Sequence, residues 1–141
     1  MSSPRVEVVN GRIRWYCKVC DRPVAAGAGY LHVDTRRVQA VKKAHDDWEE
    51  DRRGRGGAEG DALRVFPLSE FMELPSAVSW EVHHRDCDPE PDRDDYWTDV
   101  KRVDRYWKVL HWTAHLMGKN WLSHTRWDLV LYAFTPEGRS A

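Results

Sequence analysis

Every cysteine of this chain falls in one of two short, widely separated stretches, Cys17-Lys18-Val19-Cys20 and His83-His84-Arg85-Asp86-Cys87. They form a C-x2-C pair and an H-x2-C pair. Two intervening residues let both donors of a pair reach one ion from a tight turn. Two such pairs supply the four soft or borderline ligands of a tetrahedral Zn2+. A site built this way must bring two remote pieces of chain together, which constrains the fold more than any other feature. The expected ligands are Cys17, Cys20, His84 and Cys87. His83 competes for the fourth position, but the H-x2-C spacing favours His84 and leaves His83 as a surface group or a hydrogen-bonding neighbour of the site.

A length of 141 residues suffices for one domain with a real core and is short for two, so residues 1–141 are read as a single zinc-binding domain. Three cysteines cannot all pair as disulfides, no charged-then-apolar leader opens the chain, and no stretch approaches the roughly 20 apolar residues of a membrane span. A reducing cytoplasm is therefore expected. There a C-x2-C pair reads as metal-binding more readily than as a staple, with a thioredoxin-like redox pair as the rival. Charged residues are 32 % and balance to −1, which argues against a protein devoted wholly to non-specific nucleic-acid binding. The balance hides segregation: residues 1–43 sum to +6, residues 44–104 to −10 and residues 105–141 to +3.

Taken in order, Val6, Val8 and Arg12–Tyr16 flank the turn signal Asn10-Gly11 and suggest two short strands, a hairpin delivering Cys17 to the metal. Gly29–Asp34 alternates like a strand. Asp34-Thr35 suits a helix N-cap, and Val38, Val41, His45 and Trp48 give a helix to about Arg52, inserted between the ligand pairs. The glycines of Gly54–Gly60 break it, so residues 53–61 are expected to be a mobile loop. Leu63–Phe66 suggests a strand and Ser69–Leu74 one helical turn. Ala77–Val82 alternates and runs into the second ligand pair.

Tyr96–Val103 is ambiguous between a strand and the start of the next helix; a strand is preferred. Asp104 then caps a helix to Met117, ended by Gly118. Thr125 with Asp128 resembles a capping box for a last helix, which Pro136 ends. The expected architecture is α+β: short antiparallel strands, one inserted helix and a C-terminal helical layer over 104–135.

The order Cys-Cys-His-Cys, with a Gly-rich segment after the first pair and Trp80 before the second, resembles a treble-clef-type knuckle. The ligand pattern is similar to that of LIM first fingers and of the zinc finger of poly(ADP-ribose) polymerases. That resemblance covers about 40 residues and implies zinc at Cys17, Cys20, His84 and Cys87. It departs from both families in the 63 residues between Cys20 and His84, and in Pro89, which blocks the helix a treble clef would start there. The chain as a whole also resembles small proteins of actinobacteria and their phages, which implies no particular chemistry.

Four protein ligands leave no open position, so the expected zinc is structural. The zinc deaminase pattern is absent. Three functional readings remain. One is a binding module for nucleic acid or protein. In its nucleic-acid form Arg12, Arg14, Lys18 and Arg22 would contact phosphates while Trp15 stacks on a base. In its protein form an aromatic patch from Trp97, Tyr106, Trp107, Trp112 and Trp121 would dock a partner. Another reading is a purely structural component of a larger assembly. The alternative is a metal-dependent HNH-like nuclease, for which His32 in Leu31-His32-Val33-Asp34 is the nearest candidate base. His111 and His115, at i and i+4, could make a separate two-point metal contact. No small-molecule substrate is evident.

Overall fold

The computed structural model describes residues 3–56 and 74–140. Its architecture is α+β, with two small antiparallel sheets and four helices among the described residues. Strands β1 (Val6–Val9) and β2 (Arg12–Trp15) pair from Val6↔Trp15 to Val9↔Arg12. Asn10 and Gly11 turn the hairpin with φ of 52° and 76°, the left-handed pair that a tight two-residue turn requires. On β2 the strand period of two buries Ile13 and Trp15 and exposes Arg12 and Arg14.

The second sheet has the order β4-β3-β5, with β3 (Gly29–Val33) between β4 (Glu81–His84) and β5 (Tyr96–Asp99). A central strand with both faces covered should be buried along its length, and Leu31, His32 and Val33 are 0–1 % exposed. Helix α1 (Thr35–Gly56) follows directly. Asp34 caps it by accepting the Arg37 N–H at 3.2 Å, and Val38 and Val41 face the core. Lys42–Asp46 and Lys43–Asp47 ion pairs line its outer side. This is the helix inserted between the two ligand pairs.

After β5 a 3-10 turn, Val100–Val103, leads to α2 (Tyr106–Leu116), then α3 (Trp127–Tyr132) and α4 (Pro136–Ser140). Tryptophans knit these to the sheet. Trp80 meets Trp127 edge-on at 5.0 Å, Tyr96 meets Trp121 at 5.0 Å, and Trp15 meets Phe134 at 5.5 Å. Edge-to-face packing of this kind stabilises beyond simple burial. The Trp15 indole N–H also donates to the Val103 carbonyl at 2.9 Å, joining the first hairpin to the 3-10 turn.

Several expected boundaries are corrected. α1 continues to Gly56 rather than ending at Arg52, because an exposed glycine in a last turn costs only about 1 kcal/mol. The remainder of the expected loop at 57–61, the Leu63–Phe66 strand and most of the Ser69–Leu74 turn lie outside the described residues. The strand within Tyr96–Val103 stops at Asp99, where the Asp99 carboxylate accepts the Lys101 N–H and starts the 3-10 turn. Asp104 does not cap α2; it pairs with Lys108 at 2.9 Å, and α2 starts after Arg105. Thr125 makes no capping box, since its hydroxyl donates to Leu122 O and accepts the Trp80 indole N–H. Pro136 begins a short helix, a position where its fixed φ is favourable and its missing N–H costs nothing.

Candidate metal centre

The hairpin carries the chain out of Trp15 into a tight turn holding Cys17 and Cys20. Tyr16 bridges Pro23, and Cys17 N–H donates to Arg22 O at 2.9 Å, closing this turn on itself. Asp21 sits within it at φ 57°, a conformation aspartate tolerates better than most residues. The Lys18 N–H donates to Val82 O at 2.8 Å, docking the turn on β4. His84 is the last residue of β4, and Cys87 ends the one-turn 3-10 helix Arg85–Cys87. Gly29 pairs with His84 across the sheet, and Arg85 N–H reaches Ala28 O at 3.0 Å. Backbone hydrogen bonds thus bring the two remote ligand pairs together.

The donor atoms of Cys17, Cys20, His84 and Cys87 all lie within 4.8 Å of one another, and together they could hold one metal ion. His84 Nδ1 stands 3.3 Å from Cys20 Sγ and 3.9 Å from Cys87 Sγ. Sulfur and nitrogen on one tetrahedral Zn2+ would stand about 3.6 Å apart, from bonds of about 2.3 and 2.1 Å. The two distances bracket that value. His84 Nε2 lies 3.0 Å from Pro23 O. A carbonyl only accepts, so Nε2 carries the proton and the Nδ1 lone pair faces the sulfurs, as ligation requires.

The electrostatics fit a cation as well. Burial acts to raise the Cys17 thiol, but the Cys20, His84 and Val19 backbone N–H groups bring it down to about 6. Burial and the neighbouring Cys20 and Cys17 push Cys87 up to about 11. One thiolate is prepared by backbone donors; ionising all three at one point calls for a positive ion.

His83 is excluded from this cluster by strand geometry, because consecutive residues on β4 project to opposite faces. It is 2 % exposed and its Nδ1 lies 2.6 Å from His32 Nε2. The H-x2-C spacing favoured His84, and the fold sets the His84 face of β4 toward the cysteines. Pro23, whose carbonyl fixes the His84 tautomer, carried no sequence signal, since its role depends on how the turn folds back.

The expected nucleic-acid face is only partly assembled. Arg12, Arg14, Lys18 and Arg22 are exposed, with Arg14 paired to Glu7 at 3.4 Å and Lys18 to Glu81 at 3.3 Å. Trp15 is a correction: at 1 % exposure it presents no face for a base to stack on, because β2 alternation turns it into the core. His111 and His115 are exposed on α2, and among the described residues neither belongs to a group of three or more potential metal donors. Among the described residues no helix is long and apolar enough to cross a membrane. No family model, curated protein or solved structure matches this chain.

Proposed function

We propose that Cys17, Cys20, His84 and Cys87 hold one structural Zn2+ and that the chain is a zinc-stabilised binding module of a reducing, cytoplasmic compartment. The observation that carries this reading is the convergence of three thiols and a correctly oriented imidazole from two remote segments. Thiolate-rich sets select zinc among abundant divalent ions, and four protein donors leave no place for a substrate. The site is knuckle-like at Cys17–Cys20. It lacks the α-helix that a treble clef starts after its second pair, since Pro89 follows Cys87 and no helix or strand begins before Tyr96.

A protein partner is better supported than a nucleic acid. Burial of Trp15 removes the stacking platform, whereas Trp107 and Leu110 on α2 and Met117 at its C-cap are 63–73 % exposed. Those residues recur at three and seven, along one side of the helix. Exposed large apolar side chains grouped on one helix face mark interaction surfaces. The nuclease alternative has less support. His32, its candidate base, is 1 % exposed, and both ring nitrogens are engaged, with Asp95 and His83.

Elemental analysis of protein purified without added metal tests the proposal. One zinc per chain, lost in Cys87→Ser, is expected; thiols that titrate freely in the native protein with no zinc present would overturn it. Trp107→Ala or Leu110→Ala should abolish capture of the partner while leaving zinc content unchanged. Tight oligonucleotide binding with a steep salt dependence, unaffected by these substitutions, would move the assignment to nucleic acid.

A further inference from the structure

On the other face of β4 a second group of donors converges: His32 on β3, His83 on β4 and Asp88 just beyond Cys87, with donor atoms within 4.8 Å of one another. The two rings are 1 % and 2 % exposed. Their inner nitrogens, His32 Nε2 and His83 Nδ1, are 2.6 Å apart. Their outer nitrogens each meet a carboxylate: His32 Nδ1 lies 2.6 Å from Asp95 Oδ2, and His83 Nε2 lies 3.6 Å from Glu81 Oε2. The Asp95 carboxylate at 2.6 Å holds a proton on His32 Nδ1, which leaves His32 Nε2 as a lone-pair donor facing His83 Nδ1 beside Asp88.

The surroundings are built to hold this geometry. Arg93 grips Asp95 through two nitrogens, at 2.5 and 2.7 Å, and also reaches Asp34 at 3.5 Å. Tyr30 donates its hydroxyl to Asp88, whose other oxygen accepts the Glu90 N–H at 2.9 Å. Asp88 also forms part of the wall of a cavity of about 300 Å³ bounded by Tyr30, Arg85, Arg93, Asp95 and Trp97. Of the three donors, Asp88 is the one that lines it.

We propose that His32, His83 and Asp88 form a second metal site, taking a borderline divalent transition ion such as Zn2+ or Fe2+, with Asp95 as a positioning residue. Two imidazoles and one carboxylate suit these ions better than Mg2+ or Ca2+, which prefer all-oxygen shells. Unlike the thiolate cluster it offers only three protein donors, the number found where a metal keeps an open position. Two nitrogens bound at about 2.1 Å stand about 3.0 Å apart at a right angle and about 3.4 Å at the tetrahedral angle. From 2.6 Å, the rings need part by only a few tenths of an ångström to about 0.8 Å.

Co2+ titration of the full-length, metal-stripped protein separates the two sites, because thiolate ligation gives an intense charge-transfer absorption that imidazole and carboxylate do not. Two equivalents are expected, one with and one without that absorption. Asp88→Asn and His32→Gln should each remove only the equivalent without it. Asp95→Asn should weaken that equivalent by on the order of 10- to 100-fold, as loss of a ligand-orienting carboxylate does. Asp88 lies at the cavity wall, so its variant keeps the test decisive if the buried His32→Gln fails to fold by circular dichroism. A single thiolate-bound equivalent in folded wild type, with Zn2+, Fe2+ and Mn2+ also failing to add a second, would overturn the proposal and leave a shared proton between the rings. A second equivalent without thiolate absorption would stand even if the cysteine cluster bound nothing.

Discussion

Gly29 is where the fold and both donor clusters are most tightly joined, and replacing it with alanine should disrupt all three. A Cβ built there would lie 2.2 Å from His83 O, 2.6 Å from Val24 Cγ1 and 2.9 Å from His84 Cα. Two of these three neighbours are backbone atoms of β4, which cannot rotate away as a side-chain end can. Relief to ordinary contact requires moving His83–His84 by about 1 Å, well beyond what metal–ligand tolerances of about 0.2 Å accept. Overpacking a well-filled interior costs about 1–3 kcal/mol, and a backbone obstacle places this case at or above the upper end. For a chain of this size that is a fall of roughly 10 °C in Tm. Thermal melting of the zinc-loaded protein, with a competition assay for zinc affinity, reads both effects. Gly118→Ala is the matched control, because its new Cβ meets only His115 O at 3.5 Å and should change stability by less than about 0.5 kcal/mol. A Gly29→Ala protein that melts within about 2 °C of wild type with unchanged zinc affinity would refute the reasoning, since a clash with backbone would then have cost almost nothing.

Trp15→Phe should destabilise by about 1–3 kcal/mol in urea denaturation, because it removes the indole N–H from the Val103 carbonyl in a buried site and leaves a small void. Metal removal by a strong chelator should abolish near-ultraviolet circular dichroism from the tryptophan layer, and adding back Zn2+ should restore it, because filling the proposed cysteine–histidine site would be coupled to folding. Burial, and secondarily the His45 ring at 5.3 Å, lower the His124 pKa below 6.5. Its contribution to stability is therefore complete above pH 6.5 and declines as the pH falls through its folded-state pKa. NMR titration should find His124 below 6.5, and His45→Asn should raise it part of the way back, burial being the larger cause.

The donor set of the cysteine cluster was readable in the chain because pair spacing is a local property. Two residues between donors fix their reach whatever the rest of the fold does, and that spacing favours His84 over His83. The Asn10-Gly11 hairpin and the Asp34 cap were legible for the same reason: turn and cap chemistry are settled within four residues. Where local signals competed with tertiary partners, the partners won. The Thr125 hydroxyl was taken by Trp80 and Leu122 rather than by a helix N-terminus, and Trp15 was claimed by Val103 and Phe134 rather than by solvent.

The second cluster lay beyond sequence reading altogether. His32, His83, Asp88 and Asp95 come from three separate stretches and share no motif. They meet only because β3 pairs with β4 on one side and β5 on the other, in a register that sets His32 opposite Glu81 and Trp97. The sequence by itself determined which residues can ligate, where the chain turns and which faces are apolar. The tertiary structure decided which donors share a point in space, because that depends on strand register and on hydrogen bonds between segments far apart in the chain.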